Sequence, residues 1–192
     1  MVNSNGVIDT YIRMEGLLKG HFLLSSGLHS DTYLQSERVM MYPSVAAQIV
    51  FPLTDKLRDI DAVIASPAIG GIRFGYELAR QLNKCAIFTE RVDGVMTLRR
   101  GFNIASGERV IVAEDVVTTG KSTKECIDAI VNCGGEVVAV VSIIDRSGGS
   151  VKFDVPFFSL AKIEVQSWNS EECPLCKAGG KPVKPGSRKE IG

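Results

Sequence analysis

RVIVAEDVVTTGKST, residues 109–123, decides how the rest of the chain is read. Val110, Ile111, Val112 and Ala113 form a short apolar run of the kind that fills a parallel strand covered on both faces. Two carboxylates, Glu114 and Asp115, follow where that run ends. In an open α/β sheet, ligands gather beyond the carboxyl ends of the strands, so acidic residues placed there mark a candidate site. Thr118, Thr119, Gly120, Lys121, Ser122 and Thr123 then offer hydroxyls, a glycine that permits close backbone approach, and the free N–H groups of an opening helix. Together they make an anion cradle, and phosphate is the anion that suits it.

On either side, strand and helix patterns alternate. DAVIAS at 61–66 is a buried strand running into PAIGG at 67–71 and then a helix expected to turn Ile72, Tyr76, Ala79 and Leu82 to one face. CAIFT at 85–89 is the next strand. Residues 90–107 form a long polar connection with Arg91, Arg99 and Arg100, a length that points to a functional lid. A helix over 122–133 stops at Gly134-Gly135, VVAVVSIID at 137–145 is a further strand, and 155–163 the last. The alternation predicts an α/β fold, a central, mostly parallel twisted sheet flanked by helices with right-handed connections. Ahead of it, a helix is expected over 7–20, ending at Gly20. HFLLSSGLHSDTYLQ at 21–35 then supplies two β-like pieces, a hairpin or flap around Ser25, Ser26 and Gly27. Pro43 opens a helix carrying Val45, Ile49, Leu53 and Leu57, with a kink expected at Pro52. From Ser167 onward, Pro, Gly and Lys predict an irregular, exposed extension. One domain over 1–192 is expected: N-terminal helix and flap at 1–42, α/β core at 43–166, and extension at 167–192.

Composition narrows the function classes. The 192 residues are 45% hydrophobic with a formal net charge of zero, which gives no reason to expect nucleic acid or a membrane surface as partner. No segment approaches the roughly 20 apolar residues of a spanning helix and no signal-peptide pattern opens the chain, so a cytoplasmic location is expected. Five cysteines are an odd number, and Cys85, Cys126 and Cys133 sit in apolar or helical patterns, as reduced thiols do. Cys173-Pro-Leu-Cys176 has zinc-knuckle spacing but supplies only half of a four-ligand set. His21 and His29 read as flap or surface residues, so a full set is expected only across a dimer interface, and no protein-held metal is assigned.

Two common nucleotide motifs are excluded. Gly120-Lys121-Ser122 looks like the end of a P-loop, but that motif needs a glycine where Asp115 stands; GGIRFG at 70–75 is not a dinucleotide fingerprint. What remains is an acidic pair followed by a phosphate cradle. Carboxylates can accept hydrogen bonds from adjacent sugar hydroxyls while downstream N–H groups hold a phosphate on the same sugar. That combination fits a phosphorylated ribose. A strand end with a capped helix would use the same acids, and the TTGKS turn behind them favours the ligand.

EDVVTTGKS at 114–122 resembles the signature of the type I phosphoribosyltransferases, and within them the likeness is to the orotate-using branch, over nearly the whole chain. FLLSSGLHSDTYLQ is similar to its N-terminal flap over the base, PAIGGIRFGYELAR to its pyrophosphate loop and helix, and IIDRSGG to its orotate-contacting segment. CPLCKAGGKPVKPGSRK resembles the tail of one branch. The resemblance implies transfer of the phosphoribosyl group of phosphoribosyl pyrophosphate to orotate, giving orotidine 5′-monophosphate and pyrophosphate in pyrimidine biosynthesis. Mg²⁺ is carried by the diphosphate, and a homodimer is implied. It places Glu114 and Asp115 on the ribose hydroxyls and the stretch Val116, Val117, Thr118, Thr119, Gly120, Lys121 and Ser122 in the phosphoribosyl pyrophosphate site, with the 5′-phosphate at Thr118 to Ser122. Thr118 and Arg146 are placed on orotate, Arg146 taking its carboxylate with a planar fork.

The lid departs from the family's pattern, because no Lys or His lies between Cys85 and Gly120. Arg91, Arg99 and Arg100 are what the connection offers, and Arg91 with Asp115 are the catalytic candidates. Arginine neutralises charge but donates no proton at neutral pH, so the leaving group is expected to depart by charge neutralisation. Two other readings fit the same cradle: a purine phosphoribosyltransferase, whose base would offer Arg146 no carboxylate, and a non-catalytic phosphoribosyl pyrophosphate sensor.

Overall fold

The computed structural model describes residues 4–24 and 27–184. The chain opens with helix α1 (Ser4–Arg13), an antiparallel hairpin of β1 (Leu17–Leu23) and β2 (His29–Leu34), a short helix α2 (Ser36–Met40) and the long α3 (Pro43–Leu57). The core follows as β3 (Val63–Pro67), α4 (Gly70–Leu82), β4 (Ala86–Val92), β5 (Val95–Leu98), β6 (Arg109–Val117), α5 (Lys121–Asn132), β7 (Glu136–Asp145) and β8 (Phe157–Lys162). A two-residue strand β9 (Ser167–Trp168) and a one-turn helix α6 (Pro174–Lys177) close the described chain.

The main sheet has six strands in the order β5-β4-β3-β6-β7-β8, parallel except for β5, and β6 lies at its centre. The expected α/β class is thus what the residues build. Period-two alternation divides β6 between two cores: Ile111 and Ala113 pack with α3 and α4, whereas Val110 and Val112 pack with Cys126 and Ile130 of α5. All four β6 residues have 0% exposure. Each side chain of Val or Ile size buried this way contributes roughly 1.5–3 kcal/mol, so the strand that carries the candidate site is firmly held.

Several expectations change. The first helix stops at Arg13 instead of running to Gly20, and residues 17–20 enter β1. Glu15 turns left-handed (φ 53°), and a Cβ on Gly16 would stand 2.5 Å from Val39, so the chain leaves the helix where glycine alone fits. On α4 the inward stripe is Gly71, Phe74, Gly75 and Leu78, while Tyr76 is 65% exposed. Its glycines bring the helix close to the sheet, and a Cβ on Gly75 would meet Ser66 Oγ at 1.9 Å. α3 runs through Pro52 unbroken. The connection after residue 90 is not a structureless lid at its start: Asp93 and Gly94, both at positive φ, make a two-residue hairpin turn that pairs Val92 with Val95. Strand, helix and glycine stop over 109–135 fall as expected, with Gly134 at φ 90° and Gly135 N–H donating to Ile130 O at 3.1 Å.

The described part of the tail, residues 167–184, is largely irregular and exposed, as expected, but it is anchored at particular points. β9 pairs with β2 to complete a three-stranded sheet with β1, Cys173 is fully buried, and Val183 bridges to Phe22 of β1. The open edge of the hairpin accepts the tail because an unpaired strand edge leaves N–H and C=O groups unmet. The turn expected at Ser25 and Ser26 lies outside the described residues.

Candidate active site

β6 ends at Val117 and the chain turns through Thr118, Thr119 and Gly120 into α5. Gly120 makes the turn possible: its φ is 72°, and a Cβ there would stand 2.7 Å from Val151 Cγ1. Because α5 opens at Lys121, the N–H groups of its first turn lack intrahelical acceptors and carry the positive end of the helix dipole. A cleft of about 590 Å³ opens over this point. Asp115, Val116, Thr118, Thr119, Lys121 and Ser122 line one side of it, and Arg91 and Arg146 join them from β4 and from the end of β7. Val117 and Gly120 are buried behind this wall, as is Glu114. A larger groove of about 920 Å³ between α3 and α4, lined by Gln48, Phe51, Pro52 and Arg80 among others, involves no carboxyl end of a strand.

The acidic pair splits. Asp115 is half-buried on the cleft wall, and its carboxylate lies against the start of α4: a Cβ on Gly70 would come within 2.7 Å of its Oδ1. Glu114 is only 7% exposed. Burial, then the charge of Asp115 and a hydrogen bond between the two carboxyls, push its pKa well above the usual carboxylate range; the Thr123 hydroxyl opposes this. Burial thus falls on Glu114, while Asp115 stands half-buried on the cleft wall. The loop ahead of α4 closes on β4, with Ala68 N–H donating to Thr89 O at 2.7 Å and a cis bond between Ala68 and Ile69.

Arg146 follows β7 directly, and its N–H donates to Val117 O at 2.8 Å, fixing that side of the cleft to β6. Among the described residues its guanidinium makes no hydrogen bond and no salt bridge. Desolvation lowers its pKa from the ordinary arginine value, with the charge of Asp31 acting in the opposite sense. Burying a cation is costly without a hydrogen-bonded anion, and among the described residues Asp31 acts on Arg146 through its charge alone. Arg91 is better provided: it pairs with Glu125 of α5 and lies 3.4 Å from Ser122 Oγ. Arg99 and Arg100 instead pair with Glu90, at 3.8 and 3.0 Å, and do not line the cleft.

Residues that sequence reasoning did not single out complete the cleft. Leu24, Leu28, Tyr33 and Leu34 of the hairpin, with Val165 and Ser167 beyond β8, cover its other side. The alternation in 21–35 signals a flap but not which of its faces meets the strand ends.

The phosphoribosyl transferase domain family matches residues 43–176. Orotate phosphoribosyltransferase from Caldanaerobacter subterraneus subsp. tengcongensis is 52% identical over 185 residues, covering 95% of this chain and 97% of the relative. The chain belongs to the orotate phosphoribosyltransferase family. The Acidithiobacillus ferrooxidans orotate phosphoribosyltransferase is 50% identical over 192 residues, covering 97% and 98% of the two chains. The crystal structure of the orotate phosphoribosyltransferase from Aeropyrum pernix shares the fold with a TM-score of 0.70 at 23% identity, over 82% of this chain and 93% of that one. The cleft described above therefore sits on a type I phosphoribosyltransferase fold, at the strand ends where the signature stretch of the family lies.

A second cluster stands outside the cleft. His21 and His29, expected as unrelated flap residues, converge with Cys173 and Cys176 so that one ligand atom of each lies within 4.8 Å of the others. The half-set at the Cys-x-x-Cys turn is completed inside one chain, because β1, β2 and the folded-back tail meet there.

Proposed function

We infer that this chain transfers the 5-phosphoribosyl group of phosphoribosyl pyrophosphate to orotate, forming orotidine 5′-monophosphate and releasing pyrophosphate for pyrimidine biosynthesis. The observation that carries this reading is Arg146, half-buried and with no salt bridge or side-chain hydrogen bond among the described residues, lining the same cleft as the phosphate-type turn at Thr118–Ser122. A carboxylate-bearing base on Arg146 and a phosphorylated ribose on the turn span the opening. A purine would leave the guanidinium unmet.

In this reading the N–H groups and hydroxyls of Thr118, Thr119, Lys121 and Ser122 hold the 5′-phosphate, and Gly120 lets the backbone approach it. Asp115 accepts from the ribose hydroxyls. Glu114, buried behind it with a raised pKa, orients that carboxylate instead of reaching the sugar itself. The orotate nitrogen then bonds to ribose C1 as the bond from C1 to the diphosphate oxygen breaks, its electron pair leaving with the diphosphate and the nitrogen's proton passing to that diphosphate or to solvent. Asp115 favours the cation-like sugar, while Arg91, drawn over the cleft by Glu125, faces the negative charge that builds on the leaving group. Mg²⁺ fits here as a cation carried by the diphosphate, since Asp115 supplies a carboxylate to the cleft and Mg²⁺ keeps many water and substrate ligands. When bound it would neutralise diphosphate charge.

We also propose a homodimer formed through the α2–α3–α4 side, where Met41, Tyr42, Phe51 and Tyr76 are exposed by 58, 45, 55 and 65%. Light scattering after size exclusion checks it. No helix among the described residues is long and apolar enough to cross a membrane. All five cysteines are free, and we propose a cytoplasmic location on that basis. The function is tested by turnover of orotate, adenine and hypoxanthine side by side with phosphoribosyl pyrophosphate and Mg²⁺. Consumption of orotate alone supports the reading, and turnover confined to a purine overturns it.

A further inference from the structure

The described chain carries a second polar centre that the transferase chemistry does not use. His21 lies on β1, His29 begins β2, and Cys173 and Cys176 bracket the first turn of α6. His21 Nε2 lies 3.0 Å from His29 Nδ1, 3.5 Å from Cys173 Sγ and 3.7 Å from Cys176 Sγ, and Cys176 Sγ lies 3.2 Å from His29 Nδ1. Hydrogen bonding alone accounts poorly for this arrangement. A neutral imidazole nitrogen has one proton or one lone pair to offer, and here one nitrogen faces three partners. The other nitrogen of the ring, Nδ1, is buried with no hydrogen-bond partner among the described residues, so the ring's polar contacts there are all on the Nε2 side.

The His–His spacing and the three Cys–His spacings above come close to those of a coordination shell. With zinc–sulfur bonds of about 2.3 Å and zinc–nitrogen bonds of about 2.0–2.1 Å, the edges of a tetrahedron come to about 3.3 Å for N···N and about 3.6 Å for S···N. Two thiolates also cancel the charge of a divalent ion, which allows the site to include Cys173, at 0% exposure. Pro174 and the bonds from Gly179 N–H to Cys176 O (2.8 Å) and Gly180 N–H to Leu175 O (2.9 Å) give the Cys-x-x-Cys turn a fixed shape before any metal arrives.

We propose that His21, His29, Cys173 and Cys176 form a closed, structural zinc site that clasps the C-terminal tail onto the β1–β2 hairpin. Four protein ligands leave no open position for substrate, so the metal acts on architecture. Its reach includes the cleft, because Leu24 and Leu28 at the end of the same hairpin line it, as does Ser167 of the tail. The clasp is continued by Leu23 N–H donating to Val183 O (2.9 Å) and Val183 N–H donating to His21 O (2.8 Å).

The test uses the full-length reduced protein expressed in zinc-sufficient medium. Elemental analysis should find about one zinc per chain in the wild type and in Cys133→Ser, and a loss of most of it in Cys176→Ser and in His29→Ala. Wild-type protein stripped with a chelator and given Co²⁺ should develop the visible absorption of tetrahedral, thiolate-bound cobalt. This readout does not depend on whether the variants fold. Hydrogen exchange should accelerate at Leu23 and Val183 on stripping, with Ile111 and Val112 unchanged. Protein without zinc that also fails to take up Co²⁺, or that contains a Cys173–Cys176 disulfide, overturns the proposal. Exchange at Leu23 and Val183 that ignores the metal overturns the clasp.

Discussion

Arg146→Ala separates a substrate-binding arginine from a structural one. Its guanidinium is partly desolvated and makes neither a hydrogen bond nor a salt bridge among the described residues, so removing it there costs only the attraction to the charge of Asp31. The partner proposed for it is the orotate carboxylate. Charge-assisted hydrogen bonds contribute about 1.5–3 kcal/mol, and each 1.4 kcal/mol is a factor of ten in affinity, so the orotate KM should rise roughly 10- to 150-fold. The KM for phosphoribosyl pyrophosphate should stay within about twofold, because the link from residue 146 to Val117 is made by its backbone N–H and survives the change. Thermal stability should be unchanged or slightly higher, since an unpaired, half-buried charge is lost. Arg146→Lys retains the charge without the fork and should fall between the two. Initial rates from loss of orotate absorbance, with each substrate varied in turn, and a thermal melt supply the readouts. An unchanged orotate KM, a parallel rise for both substrates, or a Tm several degrees lower would refute the reasoning.

Other substitutions probe the remaining parts. Arg91→Ala should lower kcat about 10-fold or more while phosphoribosyl pyrophosphate still binds, as single-turnover rates and equilibrium titration would show; unchanged turnover removes Arg91 from the chemistry. Gly70→Ala places a Cβ 2.7 Å from Asp115 Oδ1 and should weaken phosphoribosyl pyrophosphate binding by displacing that carboxylate, leaving orotate binding near wild type. The fold raises the Glu114 pKa, so the folded protein binds more protons than the unfolded chain above the ordinary glutamate pKa, and stability is lost as pH rises from there through the raised folded value. The stabilisation of Glu114→Gln relative to wild type should therefore grow with pH in that window, and a pH-independent difference in denaturant midpoints would contradict it. Gly75→Ala should cost about 1–3 kcal/mol by overpacking against Ser66. Ser66→Ala, which removes a buried hydroxyl that has no partner, should be tolerated alone and should recover part of that loss in the double variant.

The α/β class and the site at the end of β6 were legible because local pattern and tertiary role coincide there: 110–113 are apolar for burial on two faces, and the residues after them change at once to acids, hydroxyls and glycine. Arg146 was legible for the same reason, standing one residue beyond a strand of unmistakable composition. Elsewhere the deciding contact lay far along the chain. Asp93-Gly94 carried a local hairpin signal that the polar length of 90–107 concealed. The inner stripe of α4 could not be read from hydrophobicity, since Gly71 and Gly75 face the sheet by virtue of being small and Tyr76 is left outside. Glu114 and Asp115 look equivalent in sequence, yet one is buried under α5 and the other stands on the cleft wall. His21 and Cys173 are 152 positions apart, so only the return of the tail to β2 makes a ligand set of them.

The most direct measurement is a crystal structure of the protein with orotidine 5′-monophosphate bound. The account predicts the phosphate on the N–H groups and hydroxyls of Thr118 to Ser122, the ribose hydroxyls on Asp115, and the base carboxylate within hydrogen-bond distance of the Arg146 guanidinium. A nucleotide lying elsewhere, or one whose carboxylate turns away from Arg146 into solvent, would contradict it.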